Sequence, residues 1–480
     1  MHFQQIFEPK LAQNSYLIGC QKTGEAIIVD PMRDIHRYIE AASKASLKIV
    51  AVTETHIHAD YLSGAQEFAH QLGVKVYASN CSDNEWRFDW VIESDYDHQL
   101  LKHGDAFQIG NIEFKTLYTP GHTPEHISFL VTDRGGAADR PMGILSGDFV
   151  FVGDVGRPDL LESAAGQNGA MKPAAQTLFR SLQQFKELPQ YLQVWPGHGA
   201  GSACGKALGA VPMSTVGYEL QFNQSLLATA SERQFVDYIL SGQPEPPMYF
   251  ARMKFENRSG PAILGKLPKP KKLGSDQFKL FINNQDVALI DTRSWQSFRT
   301  GHIPGTIFAP MNKSFNTTAG CYVTPRMPIY LIIEENKLSE AIVDLIRIGL
   351  DDIRGYFTPD TLENYKTAGG ELSSIDEIDV RSLKEKIENN NVHILDVRRA
   401  SELAQTGQLE GAQNIAHTRL QPRLAEVLKD KPLMVHCLSG VRSSYASAFL
   451  KRNGYDVTNI AGGFNAWLKS GGTVVNAANN

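Results

Sequence analysis

Histidines in this sequence cluster in short turns that follow predicted strands. Ten of the fourteen histidines lie within the first 200 of 480 residues. The apolar, β-branched run Leu47–Thr53 predicts a buried strand, and after a histidine-rich turn Ala65–Leu72 predicts a helix. Because such turns recur, this region is expected to form a β-rich α/β layered domain with its chemistry in the turns. The later predicted strands are Ile112–Tyr118, Ile127–Val131, Gly143–Leu145 and Tyr191–Trp195.

Four of these turns carry side chains that bind transition metals. They read Thr-His-Ile-His-Ala-Asp-Tyr at 55–61, Thr-Pro-Gly-His-Thr at 119–123, Ser-Gly-Asp at 146–148 and Pro-Gly-His-Gly at 196–199. Neutral imidazole together with carboxylate matches the borderline hardness of a divalent transition ion. One histidine after a strand is usually structural, whereas four such turns in succession predict a metal site. In this order they resemble the motif series of the metallo-β-lactamase superfamily, which implies a sandwich whose loops converge on metal.

Tyr61 departs from part of that superfamily. The two-metal zinc hydrolases, including glyoxalase II, have histidine at this position, where it serves the second metal. Without that imidazole, we expect one metal per chain. The tyrosine hydroxyl would then fill space or form a hydrogen bond.

The persulfide dioxygenases, a mononuclear iron branch of the superfamily, are the group that the motifs resemble most. This resemblance implies that His56, His122 and Asp148 bind one Fe(II) per chain. Two histidines and one carboxylate leave coordination positions open for reactants. Iron(II) can pass electrons between a sulfur anion and dioxygen, whereas zinc has no redox chemistry. The identity of the metal therefore decides the reaction class.

Further residues are expected around the metal. The resemblance implies that His58, Asp60, Tyr61 and His198 lie next to the ligands and orient them or bound water. His58, Asp60 and His198 could equally be weak ligands.

Two residues are candidates for substrate binding. The segment 154–159 (DVGRPD) resembles the G-R-x-D element of the persulfide dioxygenases, whose arginine contacts the organic part of the thiol substrate. This implies that Arg157 binds substrate; the alternative is a surface salt bridge with Asp159. Cys204, on a loop soon after His198, is the second candidate, as a relay for the persulfide. The alternative is an inert cysteine, because thiolate reactivity requires an electropositive setting.

The rest of the chain contains an internal duplication. Leu289–Arg293 (LIDTR) matches Ile394–Arg398 (ILDVR), and Gly301–Gly305 (GHIPG) matches Gly407–Gly411 (GQLEG). Each copy has about 100 residues, a common domain size.

Two polar stretches mark the expected domain boundaries. Residues 261–275 are rich in proline, glycine and lysine and predict a semi-extended connector. Residues 367–379 are polar and contain glycine, and they separate the two copies. We therefore expect domains at 1–260, 261–370 and 371–480.

The second copy contains a cysteine loop. Leu433–His436 predicts a strand, Cys437–Arg442 a six-residue loop, and the residues up to Asn453 a helix. Backbone N–H groups and the start of the helix favour a thiolate and bound anions. Together with Gly462–Trp467 (GGFNAW), the loop resembles the active-site loop of rhodaneses more than the similar loop of cysteine phosphatases. The resemblance implies catalytic roles for Cys437, Ser439, Gly440 and Arg442.

The first copy lacks this loop. Ile333 stands at the position of Cys437, and Glu334 and Glu335 follow where the anion-binding loop would be. Cys321 lies off the loop position. We expect the first copy to be catalytically inactive.

Composition excludes several other classes of protein. Hydrophobic residues make up 42% and charged residues 21% of the chain, as in globular proteins. The net charge is -5 and no long basic run occurs, so nucleic acid is not an expected partner. Five cysteines without a CxxC pair indicate reduced thiols. Since no signal peptide or membrane-spanning run is recognisable, we expect a cytoplasmic protein without membrane contact.

These observations predict an α/β multidomain protein: an αββα metallo-β-lactamase-like sandwich plus two α/β rhodanese-like domains with parallel sheets. The predicted function is oxidation of a low-molecular-weight thiol persulfide by O2 to sulfite at Fe(II), coupled to rhodanese transfer of sulfur to or from sulfite and thiosulfate. One alternative is a zinc-dependent thioester hydrolase like glyoxalase II with a rhodanese appendage. Another is a non-catalytic sulfur carrier with a structural metal. We expect a homo-oligomer, either a dimer or a tetramer.

Overall fold

The computed structural model describes residues 1–476 except positions 83, 137, 164, 165, 167, 207 and 390. The chain divides into two compact units. The first comprises residues 1–266 and 346–349, and the second residues 267–345 and 350–480. Within the described residues, the first unit contains two six-stranded sheets and the second two five-stranded sheets.

The strands and helices of the first unit alternate along the chain. They are β1 (His2–Glu8), β2 (Gln13–Cys20), β3 (Glu25–Val29), α1 (His36–Lys44), β4 (Lys48–Thr53), α2 (Ala65–Leu72), β5 (Lys75–Ser79), α3 (Asp89–Ile92), β6 (His98–Leu101), β7 (Ala106–Ile109), β8 (Ile112–Tyr118), β9 (Ile127–Asp133), β10 (Gly143–Gly147), α4 (Leu160–Ser163), α5 (Met171–Lys186), β11 (Gln193–Pro196), β12 (Ser214–Thr215), α6 (Val216–Phe222), α7 (Gln224–Leu227), α8 (Glu232–Leu240) and α9 (Tyr249–Ser259).

The first unit has four layers. One sheet has the order β1-β2-β3-β4-β5-β6 and the other β12-β11-β10-β9-β8-β7. Side chains alternate between the two faces of a strand. In β3, for example, Ile27 and Val29 lie in the core between the sheets, whereas Ala26 and Ile28 pack with α1 and α2. Helices α5 and α8 cover the outer face of the second sheet. This is the predicted αββα sandwich.

The predicted elements around the histidine turns are confirmed within two residues. The predicted helix Ala65–Leu72 is α2, and the strand Ile112–Tyr118 is β8. The strand predicted from Tyr191 begins at Gln193, because Tyr191 lies in a turn and is half exposed.

The second unit consists of two sheets with the same connectivity. Their elements are β13 (Lys271–Lys272), β14 (Ala288–Asp291), α10 (Trp295–Thr300), β15 (Ile307–Phe308), α11 (Phe315–Tyr322), β16 (Ile329–Ile332), α12 (Leu338–Arg347), β17 (Ile353–Phe357), α13 (Pro359–Thr367), β18 (Asp376–Ile378), α14 (Val380–Glu388), β19 (His393–Asp396), α15 (Ala400–Thr406), β20 (Gln413–Asn414), β21 (Leu433–His436), α16 (Val441–Arg452), β22 (Val457–Ile460) and α17 (Gly463–Lys469).

The strand orders β13-β17-β16-β14-β15 and β18-β22-β21-β19-β20 correspond strand for strand, and all pairings are parallel. Each sheet has its own hydrophobic core. The predicted parallel sheets are therefore present, while the division of this part into two domains at 370 stays a prediction.

Both polar stretches contain more structure than predicted. Residues 261–275 were expected to be a connector, but Lys271 and Lys272 form the edge strand β13, which pairs with β17. Strand β18 likewise lies inside the stretch 367–379 and pairs with β22. Exposed lysines suit an edge strand, because they oppose pairing with another chain. Composition alone does not reveal this backbone pairing.

Among the described residues, no helix is both long enough and apolar enough to cross a membrane.

Candidate functional site

Turns from both sheets of the first unit bring His56, His122 and Asp148 together. His56 follows β4, His122 lies between β8 and β9, and Asp148 follows β10. His56 Nε2 is 3.8 Å and His122 Nε2 is 3.6 Å from Asp148 Oδ2. One ligand atom from each residue lies within 4.8 Å of the others, and all three side chains are buried. The predicted ligands therefore form one cluster.

Hydrogen bonds behind the rings point both Nε2 atoms toward this cluster. The backbone carbonyl of Arg157 accepts from His122 Nδ1 at 2.9 Å. Thr55 Oγ1 lies 2.9 Å from His56 Nδ1 and donates to Asp30 Oδ2 at 2.9 Å, so it accepts from the ring. With the proton on Nδ1, each Nε2 has a free lone pair, as a metal ligand requires.

The Asp148 carboxylate fits a bound cation. It is fully buried, and within the described part of the chain neither of its oxygens has a hydrogen-bond partner. Burial raises the pKa of Asp148 to about 6. Burial also lowers the pKa values of His56 and His122 well below the ordinary value, which keeps both imidazoles neutral. Unpartnered buried carboxylates are rare, and a divalent ion among these donors would satisfy this one.

The fold allows Gly197 to approach this carboxylate closely. A Cβ atom at Gly197 would lie 2.5 Å from Asp148 Oδ1. Only glycine fits here without displacing the carboxylate, so the Pro-Gly-His-Gly turn also shapes the metal site.

His58 and Tyr61 interact with acidic and backbone groups behind the ligands. His58 Nε2 is 2.8 Å from Glu54 Oε2 and 3.3 Å from Asp30 Oδ1. Burial opposes its protonation, but these carboxylates raise the pKa of His58 well above its ordinary value. The Tyr61 hydroxyl accepts from Gln13 Nε2 at 3.0 Å and donates to the Asp30 carbonyl at 3.3 Å. Of the two roles expected for the Tyr61 hydroxyl, filling space or forming a hydrogen bond, the structure shows the hydrogen bond.

Asp60, His198 and Cys204 form a second cluster beside the first. One ligand atom from each lies within 4.8 Å of the others. His198 Nε2 is 3.4 Å from both Asp60 Oδ2 and Asp148 Oδ2. Among the described residues, neither His198 Nε2 nor Asp60 Oδ2 has a hydrogen-bond partner. The sequence suggested one role for Asp60 and His198, next to the ligands, and another for Cys204, as a persulfide relay. The structure brings all three together as a further set that could hold a cation.

Arg157 is buried and paired rather than exposed. Its Nε donates to Asp159 Oδ1 at 2.8 Å, and another guanidinium nitrogen donates to Asp159 Oδ2 at 2.5 Å. A third bond goes to the carbonyl of Ala203 at 3.2 Å. The pairing with Asp159 expected as an alternative is present, but it is internal and not at the surface. Through its own carbonyl, Arg157 orients His122.

The sequence analysis did not identify several residues of this site. Asp30 and Glu54 bind His58, and His126 Nε2 accepts the backbone N–H of Asp148 at 3.1 Å. His126 follows His122 in the same turn and could have been included for that reason. Glu125, whose Oε1 accepts the N–H of Ile57 at 2.7 Å, and Lys254 are also buried. Lys254 comes from α9, far along the chain, and no motif indicated it.

Comparisons with known proteins agree with this geometry. The family model of the metallo-beta-lactamase superfamily matches residues 9–198. A metallo-beta-lactamase of known structure from Staphylococcus aureus subsp. aureus COL is 42% identical, with a TM-score of 0.67, and the match covers 75% of this chain and 99% of that one. The chain belongs to the metallo-beta-lactamase superfamily. Its C-terminal part is a rhodanese-like domain, because the rhodanese-like family model matches residues 379–470.

Curated relatives within the superfamily have different names. A mitochondrial protein of Bos taurus named persulfide dioxygenase ETHE1 is 27% identical over 198 residues, which covers 41% of this chain and 67% of the relative. A hydroxyacylglutathione hydrolase of Nitrosococcus oceani is 28% identical over 200 residues, with coverages of 41% and 66%. One relative is thus named for an oxidation and the other for a hydrolysis, at nearly equal identity.

In the rhodanese-like domain, Cys437 lies directly after β21. The backbone N–H of Gly440 donates to Cys437 Sγ at 3.2 Å. Gly440 has φ +96° and precedes α16, so the chain turns there in a left-handed conformation that favours glycine. The sulfur therefore accepts one loop N–H, that of Gly440, at the start of a twelve-residue helix.

The Gly462–Trp467 segment holds this loop. Phe464 N–H donates to the Cys437 carbonyl at 2.8 Å, and Asn465 N–H to the Leu438 carbonyl at 2.9 Å. A Cβ atom at Gly463 would lie 2.3 Å from the Cys437 carbonyl oxygen. These bonds engage the carbonyl groups of Cys437 and Leu438 and hold the loop in the conformation in which the Gly440 N–H reaches the sulfur.

Arg442 is engaged by Glu402 of α15. Its two terminal nitrogens donate to the Glu402 carboxylate at 2.5 and 2.7 Å. Burial opposes the charged form of each partner, but the pair raises the pKa of Arg442 and lowers that of Glu402. The resemblance implied a catalytic role for Arg442, and the structure pairs its charge with a carboxylate.

Proposed function

We propose that this chain is an iron-dependent persulfide dioxygenase joined to a rhodanese-type sulfurtransferase. The observation that supports the first activity is the buried set of His56, His122 and Asp148, whose carboxylate has no partner within the described residues. In the overall reaction, one persulfide R–SSH, one O2 and one water give the thiol R–SH, sulfite and two protons. The sulfane sulfur is oxidised, and dioxygen is reduced.

The three proposed ligands have neutral imidazole and carboxylate donors, which suit one Fe(II) per chain. Bound there, iron would supply the one-electron redox chemistry that permits dioxygen to react with a sulfur anion. The protein's own residues position these donors. Thr55 and the carbonyl of Arg157 fix the imidazole rings, and Gly197 leaves room for the Asp148 carboxylate. The substrate is a low-molecular-weight thiol persulfide. In this proposal Arg157 contacts its organic part, and Cys204 is a relay for the persulfide.

Cys437 is the proposed nucleophile of the sulfurtransferase. Its thiolate attacks the outer sulfur of thiosulfate, the S–S bond breaks, and sulfite leaves with the electron pair. The reverse step passes the cysteine-bound sulfur to sulfite. The Gly440 amide stabilises the thiolate, and Ser439 lies in the same loop. Residues 261–370 are proposed to be an inactive rhodanese-like domain, between a domain at 1–260 and the active one at 371–480.

Oxygen uptake tests the first activity. Protein purified without oxygen and loaded with iron is expected to consume one O2 for each glutathione persulfide and to release sulfite. Asp148→Asn should lose iron and oxygen uptake together, because the buried anionic donor is removed. The matched control is Asp139→Asn, since Asp139 is exposed. Iron-loaded protein that consumes no oxygen with several persulfides would refute the proposal.

A two-metal thioester hydrolase is a second candidate function. The cluster of Asp60, His198 and Cys204 favours it, because the cysteine could replace the imidazole that is missing at Tyr61. Metal analysis separates the candidates. Two zinc ions per chain, together with hydrolysis of a glutathione thioester, would support the hydrolase. One iron ion per chain and no hydrolysis would support the dioxygenase.

A further inference from the structure

Lys254 of α9 is a buried ammonium without a counterion. Its side chain is 4% exposed, and within the described residues Nζ has no hydrogen-bond partner. The Trp86 ring lies against it, with its centroid 4.6 Å from Nζ. A buried positive charge is costly unless it is paired, and a cation–π contact offsets only part of that cost. This lysine therefore lacks a partner that a bound molecule could supply.

Neighbouring acidic groups do not fill that role. Glu125 and Asp159 are close enough to influence Lys254 electrostatically. The Asp159 carboxylate is bound to Arg157 by two hydrogen bonds. Glu125 Oε1 accepts from the Ile57 N–H at 2.7 Å, and its other oxygen has no partner among the described residues. The ammonium thus lies near one partly engaged carboxylate, without touching it.

The position of Lys254 identifies which part of a ligand could reach it. Lys254 lies one helical turn before Asn257 of α9, whose side-chain nitrogen donates to the carbonyls of His58 and Tyr61 at 2.9 and 2.7 Å. This face of α9 therefore packs against the histidine turn, at the metal end of the site. The group that arrives there is the reacting sulfur, because the organic part of a thiol extends away from the metal. An ammonium carries three N–H donors, which suits an anion with several oxygen acceptors.

We infer that Lys254 binds a small sulfur oxyanion, such as sulfite, beside the metal cluster. This inference deepens the proposed function, on which it rests, by assigning a receptor for the anion that persulfide oxidation produces. The lysine supplies a positive charge that pairs more strongly with the doubly charged product, which has several oxygen acceptors, than with the singly charged persulfide.

Equilibrium binding of sodium sulfite to the full-length, metal-containing protein tests this inference. Trp86 touches Lys254, so its emission is expected to change on binding, and Trp86→Phe should remove the change. Calorimetry provides a second measurement. Lys254→Met should weaken sulfite binding about tenfold or more, as expected for a charge-assisted hydrogen bond. Lys254→Arg should keep affinity within about threefold, because it retains the charge. Lys172→Met, at an exposed lysine, is the matched control and should have no effect.

Three outcomes would overturn the inference. The first is a Lys254→Met protein that binds sulfite as the unmodified protein does. The second is a loss of glutathione binding without loss of sulfite binding, which would assign Lys254 to the organic part of the substrate. The third is a lower melting temperature with unchanged sulfite binding, which would make Lys254 structural. Lysine-dependent sulfite binding by a protein that consumes no oxygen would support the anion site and refute only the proposed dioxygenase.

Discussion

In the first five-stranded sheet, Arg293 binds the Asp291 carboxylate and the carbonyl of Gly301. In the second sheet, Arg398 makes the same bonds to Asp396 and to the carbonyl of Gly407. The two copies thus share their strand order and this arginine–aspartate contact, which links the first inner strand to the following turn. Since the arginine–aspartate contact occurs with and without a cysteine loop, it is a feature of the fold.

A second ion pair occurs in one copy alone, within the described residues. Glu402 binds Arg442 next to Cys437. In the first copy, Ser297 stands six residues after Asp291, as Glu402 stands six residues after Asp396. Leu338 stands six residues after the last residue of β16, as Arg442 does after β21. The first copy therefore lacks the thiol and both charged side chains together. This indicates that the ion pair accompanies the cysteine loop and is not a general feature of the fold.

The largest expected effect concerns the loop itself. Cys437→Ser should lower sulfur transfer from thiosulfate to cyanide by about 1,000-fold or more, because the nucleophile is lost. Oxygen uptake with a persulfide should remain. Cys321→Ser, at a buried cysteine of the first copy, is the control and should leave sulfur transfer unchanged.

The reverse substitution examines why the first copy is inactive. Ile333→Cys in the Cys437→Ser background should restore no sulfur transfer. Position 333 is followed by Glu334 and a 3₁₀ turn at Glu335–Lys337 and not by a loop like that of Cys437. Substantial transfer by this double variant would show that the thiol alone distinguishes the copies, against the comparison above.

The shared arginine–aspartate contact should stabilise both copies, but by different amounts. Arg398 is fully buried and lies 3.8 Å from the centroid of the Phe464 ring, whereas the side chain of Arg293 is 16% exposed. Arg398→Met should lower the opening free energy of β19 by about 3 kcal/mol, because Asp396 becomes an unpaired buried charge. Arg293→Met should lower the opening free energy of β14 by about half as much. Hydrogen–deuterium exchange of the two strands measures both values, and equal losses would contradict the burial argument.

Sequence patterns predicted the scaffold better than the charged contacts within it. Apolar spacing and Gly or Pro turns located the strand β8 and the helix α2, because hydrophobic periodicity reports local structure directly. The motif order also located His56, His122 and Asp148, which the structure places in one cluster. The neighbours of these residues depend on tertiary packing. Nothing near position 254 indicates that this lysine of α9 is buried against the Trp86 ring.

Arg157 and Arg442 teach a related lesson. Arg157 was expected to bind substrate or to pair with Asp159, and Arg442 to have a catalytic role. The structure pairs each guanidinium with a carboxylate, Asp159 or Glu402. A motif specifies the residue type at a position, but the partner depends on which acidic side chain the fold brings within reach. Asp159 is two residues away in sequence, whereas Glu402 is on a different helix.

The smallest expected effect concerns Glu402 as a positioning residue. If the carboxylate restrains the charge of Arg442 near Cys437, Glu402→Gln should release part of that charge toward an incoming anion. The KM for thiosulfate should then fall about threefold, in the range of a partly exposed ion pair, and depend more steeply on salt. A merely structural Glu402 would instead raise KM when replaced, because the loop would lose its support.

The double variant decides whether Glu402 acts through Arg442. Arg442→Met alone should raise the KM for thiosulfate on the order of tenfold, since a charge-assisted contact is lost. Adding Glu402→Gln should change nothing further, because the carboxylate would have no guanidinium to restrain. If the two substitutions instead have independent effects on KM, Glu402 contributes to the loop in another way. The ion pair could then not be grouped with Cys437 as one functional unit that the first copy lacks.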